Sequence, residues 1–271
     1  MATPTIFNAN MQLEPELASD FLRIHEHEVQ TLRTVNQKLD HLAIMTRGVC
    51  EGDFHGFVVQ GEKGLGKSHT VHRVLDEYDP TVPGNEDMPE EKRRSVRRFT
   101  GKITPLQLFL ALQEWNTSKC ILLFDDCDSA WNEIDALNVL KAAMDTKDRR
   151  IVTWATTSRL VREQSFEFKG QVIVITNANM VSKHYKAFLD RVHKFPLKMT
   201  REEKVVKLKE IASSDDRYDR ILASQVMQHI ENHLDLIGPR LSMRTFVKVY
   251  ELVKLPIWRE LAVSTVFSEE D

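Results

Sequence analysis

Gly61-Glu62-Lys63-Gly64-Leu65-Gly66-Lys67-Ser68 satisfies the pattern G-x-x-x-x-G-K-[ST] at every fixed position. The residues before it, His55-Gly56-Phe57-Val58-Val59-Gln60, read as a short strand, and His69 to Tyr78 after it read as a helix. That order carries the chemistry. Glycines let successive backbone N–H groups turn inward around a phosphate, and the start of the helix adds its partial positive charge. Gly61, Glu62, Lys63, Gly64, Leu65, Gly66, Lys67, Ser68 and the adjoining His69 are therefore the expected cradle of a nucleoside triphosphate. Lys67 is expected to reach the β- and γ-phosphates, and Ser68 to offer its hydroxyl to Mg²⁺. A glycine-rich turn that only caps a helix is the competing reading, and the flanking strand and helix argue against it.

The second decisive stretch is Ile121-Leu122-Leu123-Phe124-Asp125-Asp126, a continuous apolar run that reads as a buried parallel strand ending in two carboxylates. In P-loop ATPases the strand beside the phosphate loop ends this way. Asp125 is expected to hold Mg²⁺ through its water shell, and Asp126 to orient and polarise an attacking water. The second acid is more often Glu in such enzymes, and Asp is shorter by one methylene. Gln171-Val172-Ile173-Val174-Ile175-Thr176-Asn177 is another buried strand with a polar end. If the two strands are adjacent, Asn177 lies beside Asp126 and helps to hold that water.

A chain of 271 residues can bury a sizeable core, and its length suggests one to two folding units. The net charge of -3 gives no global basic signature, so any nucleic-acid contact must come from a local patch. Cys50, Cys120 and Cys127 form no C-x-x-C pair, which suits a reducing compartment. No apolar run is long enough to span a bilayer, and Met1-Ala2-Thr3-Pro4-Thr5 lacks the features of a signal peptide. The expectation is a cytoplasmic protein without membrane contact. The chain contains no H-E-x-x-H helix, which argues against a metalloprotease.

Leu17, Phe21, Ile24, Leu32, Val35, Leu39 and Leu42 recur at helical spacing through Arg47, as one long or two shorter amphipathic helices. They pack onto the core or dock a protein partner. Asp79 to Glu91, rich in proline and acids, reads as an exposed loop. The basic run Lys92 to Lys102, with Arg93, Arg94, Arg97 and Arg98, is either a solvated face or a phosphate-contacting surface. Thr104-Pro105 starts a helix. Lys147 to Gly170 reads as a hairpin carrying Arg149, Arg150, Arg159, Arg162 and Lys169, peripheral or reaching into a ring channel. Arg191 ends a helix. From Thr200, where Thr200-x-x-Glu203 forms a capping box, the chain is helical, with a second helix over roughly Ala223 to Leu236 and a third from near Ser242. Arg244 in the first turn of that third helix opposes the helix dipole, so a phosphate partner explains its placement.

Together these residues resemble an AAA+ ATPase over roughly 52–255. By that resemblance Lys67 and Ser68 belong to Walker A, and Asp125 and Asp126 to Walker B. Asn177 matches the first sensor, Arg191 the arginine finger and Arg244 the second sensor, with Arg240 of Gly-Pro-Arg competing for the last role. More narrowly, Phe124-Asp125-Asp126-Cys127-Asp128, Ala136 to Ala143, Phe166 to Gly170 and Leu241 to Thr245 look similar to a family of ATPases of tailed bacteriophages. The hairpin resembles the pre-sensor insertion of viral superfamily-three helicases.

The resemblance implies a P-loop αβα sandwich with a parallel sheet, followed by a small all-α lid. The expected units are an N-terminal helical segment (1–50), an ATPase core (51–198) with the hairpin inserted at about 147–170, and a lid with its tail (199–271). It further implies ATP and Mg²⁺ as ligands and a homo-oligomeric ring that remodels DNA or a nucleoprotein complex. A protein-remodelling chaperone and a nucleotide-gated interaction module with little turnover are the alternatives.

Overall fold

The computed structural model describes residues 15–156, 161, 163–177 and 182–268, and the side chains among them from Arg23 onward except that of Ile24. The first element, α1 (Pro15–Glu51), is one continuous helix of 37 residues. Val35, Leu42 and Val49 are fully buried along one face, at the seven-residue spacing that keeps a stripe on one side of a helix. Leu17, Phe21 and Ile24 lie outside the described side chains.

The core follows as β1 (Gly56–Gln60), α2 (Lys67–Asp76), β2 (Ser95–Thr100), α3 (Pro105–Glu114), β3 (Cys120–Asp125) and α4 (Ile134–Ala143). A hairpin of β4 (Ile151–Thr153) and β5 (Ser165–Glu167) precedes β6 (Gln171–Thr176), α5 (Lys183–Leu189) and β7 (His193–Pro196). Five strands form one parallel sheet in the order β2-β3-β6-β1-β7. Both faces are covered, which is why β3 and β6 read as unbroken apolar runs. Ile121, Leu123, Ile173 and Ile175 face α1 and α2 with Phe57 and Val59. Leu122, Phe124, Val172 and Val174 face α3, α4 and α5 on the other side.

This order corrects one expectation. The strand that ends in Asp125 is not next to the phosphate-loop strand: β6 lies between β1 and β3 and pairs with both. Insertion of β6 brings its end, at Asn177, between the phosphate loop and the paired acids.

Arginines of both basic stretches also bond within the chain. Arg93 Nε donates to the Met88 carbonyl at 2.8 Å, and Arg94 to that of Cys50. Arg97 stacks on Trp115, 3.7 Å from the ring centre, and Arg98 pairs with Asp76 at 2.6 Å and Asp79 at 3.0 Å. Asp79, expected to open an exposed loop, is 2% exposed. Arg93, Arg94 and Arg98 thus tie the 79–91 loop, α1 and α2 to the sheet edge, and Arg97 ties it to Trp115 at the end of α3. In the hairpin, Arg149 is exposed and pairs with Glu167 at 3.6 Å, while Arg159 and Arg162 lie outside the described residues.

Arg150 is buried, donates to the carbonyls of Ala143 at 2.8 Å and Gly170 at 2.9 Å, and lies over Phe168. Burial pushes its guanidinium down to about 10, so it stays charged at neutral pH. It fastens the end of α4 to the entry of β6. Arg150→Ala strands both carbonyls and removes packing, and is expected to cost about 2 to 4 kcal/mol in urea unfolding.

The lid comprises α6 (Arg201–Ser214), α7 (Arg220–Asn232), α8 (Leu234–Ile237), α9 (Met243–Leu252) and α10 (Trp258–Ala262) around its own core of Leu208, Val226, Ile230, Phe246 and Phe267. The single helix expected over Ala223 to Leu236 is split. His233 Nδ1 bonds the His229 carbonyl at 2.8 Å, and the His233 backbone N–H turns to Ile230 instead. The side chain takes the acceptor that a continuing helix needs. Among the described residues no helix is long and apolar enough to cross a membrane.

Candidate functional site

The phosphate loop is built by contacts that only glycine admits. A Cβ on Gly61 would lie 2.2 Å from the Leu197 carbonyl oxygen, and one on Gly64 would lie 2.7 Å from Ser242 of the lid. Gly64 and Gly66 have φ of 73° and 86°, the left-handed region that side chains disfavour. After Gly66 the helix begins at once. α2 starts at Lys67, two residues earlier than expected, so Lys67 and Ser68 occupy its first turn, where N–H groups have no helical partner.

A cleft of about 660 Å³ opens over this helix start. Gly64, Gly66, Lys67, Ser68 and His69 line one end, Asn36, Leu39 and Asp40 of α1 line another wall, and lid residues including Tyr218, Arg244 and Phe246 close it. Gly61, Glu62, Lys63 and Leu65 do not line it. Leu65 is buried with Val35, Leu197 and Met199, and the Glu62 carboxylate pairs with Lys204 of α6 at 2.5 Å.

Lys67 is 4% exposed. Its ammonium donates to the carbonyls of Gly61 at 2.7 Å and Glu62 at 2.6 Å, and to Asn177 Oδ1 at 2.9 Å. Burial holds it below the ordinary lysine range, against the opposing pull of Asp126, Asp125 and Asp128. Asn177 also donates through Nδ2 to Asp126 Oδ1, so one amide joins the lysine to the second acid.

The two acids point apart. Asp125 ends β3 and is 8% exposed; Ser68 Oγ donates to its Oδ1 at 3.0 Å, and His72 Nε2 lies 3.2 Å from its Oδ2. Asp126 has φ of 55° and is the one non-glycine residue with positive φ among those described. That turn swings its carboxylate out of the sheet and into the cleft, a conformation Asp tolerates better than most residues.

Asp128 was not singled out for a role by sequence reasoning. It accepts from Thr176 Oγ1 at 2.6 Å and from the Asn177 backbone N–H at 3.3 Å, fixing the end of β6. Only the pairing of β3 with β6 reveals this. Arg244 reaches to 4.0 Å from Asp126, and the Met243 backbone N–H donates to the Gly64 carbonyl at 3.0 Å, so the lid touches the phosphate loop directly. Arg240 is turned away and bonds carbonyls of Leu236, Ile237, Phe267 and Ser268. Arg191 is exposed outside the cleft, and its guanidinium makes no hydrogen bond or ion pair among the described residues.

Residues 57–200 match the family described as ATPase family associated with various cellular activities (AAA). An uncharacterized 36.7 kDa protein of the nrdC-mobD intergenic region of Enterobacteria phage T4 is 26% identical over 218 residues. That alignment covers 74% of this chain and 64% of the phage protein, so the chain spans less than two thirds of that relative. Two solved structures of Thermotoga maritima RuvB variants align with TM-scores of 0.47 and 0.48 at 11% and 12% identity. They cover 84% and 86% of this chain and 68% of each neighbour.

Proposed function

The chain belongs to the AAA family of ATPases, and from that membership we propose that it binds ATP with Mg²⁺ in the cleft above α2 and hydrolyses it as a ring of identical subunits. The observation that carries this reading is the Asn177 amide, bonded at once to the phosphate-loop lysine and to the second acid.

The donor set suits the ligands. Ser68 Oγ and Asp125 Oδ1 are hard oxygens 3.0 Å apart, and no group of three or more metal-binding side chains occurs among the described residues. This fits Mg²⁺, which takes one or two protein oxygens and fills its shell with phosphate and water. When bound, Mg²⁺ neutralises charge on the phosphates.

The residues of the chain then divide the work. Backbone N–H groups at the start of α2 receive the phosphates, and Lys67 leaves the Gly61 and Glu62 carbonyls for the phosphate oxygens. Asp126, aimed by its left-handed turn and held by Asn177, orients the attacking water. Arg244 descends from the lid toward the transferred phosphoryl group, and Arg191 serves the site of a neighbouring subunit. Leu39 and Tyr218 line the cleft and would offer apolar surface to the base.

The target we propose for this ATPase is DNA or a nucleoprotein complex. With Arg93, Arg94, Arg97, Arg98 and Arg150 engaged internally, that proposal rests on Lys92, Lys102, Arg149 and Lys169, which are exposed. A second reading, a nucleotide-gated interaction module, is favoured by α1. It lines the cleft through Asn36 and Asp40 and grips the lid through Lys38–Glu203 at 2.6 Å and Glu28–Lys209 at 2.8 Å.

ATP hydrolysis by wild type and Asp126→Asn, with and without single-stranded and duplex DNA across a salt series, tests both. Asp126→Asn is expected to lose about 10²- to 10⁴-fold in turnover. Stimulation by DNA that fades with salt supports the nucleic-acid target. Nucleotide binding without turnover in any assembly state supports the interaction module.

A further inference from the structure

Ser68 and His72 stand four residues apart on α2, so their side chains share one face of the helix. Both address the same carboxylate. Ser68 Oγ donates to Asp125 Oδ1 at 3.0 Å, and His72 Nε2, which must carry the hydrogen because the carboxylate has none, donates to Oδ2 at 3.2 Å. Among the described residues no other side chain hydrogen-bonds that carboxylate. The torsion that spins a carboxylate about its Cβ–Cγ bond is broad and only weakly restrained from within. Two donors, one on each oxygen, fix its plane.

We propose that His72 is a positioning residue for the metal: by holding Oδ2 of Asp125 it keeps Oδ1 aimed at Ser68 and the Mg²⁺ shell. The inference rests on the reading of Asp125 and Ser68 as the metal-side residues. With Mg²⁺ bound, Oδ1 and Ser68 would serve its shell; Oδ2 faces His72, and the Asp125 side chain is 11% exposed. Without His72 the carboxylate is free to turn, and Oδ1 would address the Mg²⁺ water shell in the right plane for only a fraction of the time. Groups that orient metal ligands in this way typically contribute about 10- to 100-fold in metal affinity.

The test is a MgCl₂ titration of fluorescent ATP-analogue binding at fixed pH, on wild type, His72→Ala and His72→Gln. Turnover is measured over the same titration. For His72→Ala the Mg²⁺ midpoint is expected to rise about tenfold, with nucleotide affinity in EDTA unchanged and turnover at saturating Mg²⁺ falling far less than the midpoint moves. Gln carries a neutral N–H donor of similar reach, so His72→Gln should recover most of the midpoint; it also keeps the test open if the alanine variant folds poorly. An unmoved midpoint in His72→Ala, or an equal loss in the Ala and Gln variants, overturns the positioning role. Wild-type binding indifferent to Mg²⁺ removes the metal reading itself. A Mg²⁺-dependent wild type with unmoved variants removes this inference alone.

Discussion

Arg191→Ala is expected to lower ATP turnover of the assembled protein by about 10³-fold or more while sparing the affinity of each subunit for nucleotide. Arg191 sits just before β7, exposed and away from the cleft of its own chain, and no described carboxylate or carbonyl engages its guanidinium. A cation left unpaired at the surface costs little to keep there. It gains its full effect only where charge develops on a phosphoryl group in a site that excludes water. A thousandfold change corresponds to about 4 kcal/mol of transition-state stabilisation, within the range of a finger supplied from outside the site.

Mixing decides whether the arginine acts between subunits. Arg191→Ala protein has intact acids, and Asp126→Asn protein has an intact arginine. If the proposed ring forms, some sites in mixed assemblies receive both, and turnover should exceed the sum of the two inactive preparations. An arginine acting within its own chain gives no such gain. Unchanged turnover in assembled Arg191→Ala protein would remove the finger assignment.

What could be read from the sequence was what depends on neighbours along the chain. Gly61 to Ser68 announce a phosphate loop because the turn, the helix start and the lysine all lie within one short stretch. The unbroken apolar character of Ile121 to Phe124 and Val172 to Ile175 reports a sheet covered on both faces. What could not be read depends on partners distant in sequence. The place of β6 between β1 and β3 is set by strand pairing, which no local pattern encodes. The arginines of the 92–102 run look alike in sequence, yet Arg97 meets Trp115 and Arg98 meets Asp79 only once the sheet edge is built. Arg150 and Asp128 were hidden for the same reason: each acts on backbone brought to it by β6.

Lys67→Ala is expected to weaken nucleotide binding by about 10²- to 10³-fold, the loss of roughly 3 to 4 kcal/mol of charge-assisted contact with phosphate. The same change should cost the fold little. In the free protein the Lys67 ammonium is buried, and its hydrogen-bond partners among the described residues are two carbonyls and an amide, with no carboxylate. Burial lowers its pKa in spite of nearby acids. For a lysine that direction means the folded chain binds the proton less tightly than the unfolded chain. The charged group therefore opposes folding at neutral pH, and that opposition is relieved only as pH rises through the lowered value toward the ordinary 10.5.

A phosphate supplies the countercharge that the fold withholds. Removing the side chain removes both the cost to the free protein and the attraction for the ligand, and water can take the ammonium's place at the Gly61 and Glu62 carbonyls, whose bonds to it are only part-buried, unlike those of Arg150. The two effects separate in thermal unfolding. Without ligand the variant should melt close to wild type. With saturating Mg²⁺ and ATP the wild type should rise by the linkage of binding to folding, and the variant should not. A variant that keeps full ATP affinity would contradict the reading of the loop, and one that unfolds early without ligand would contradict the account of its lysine.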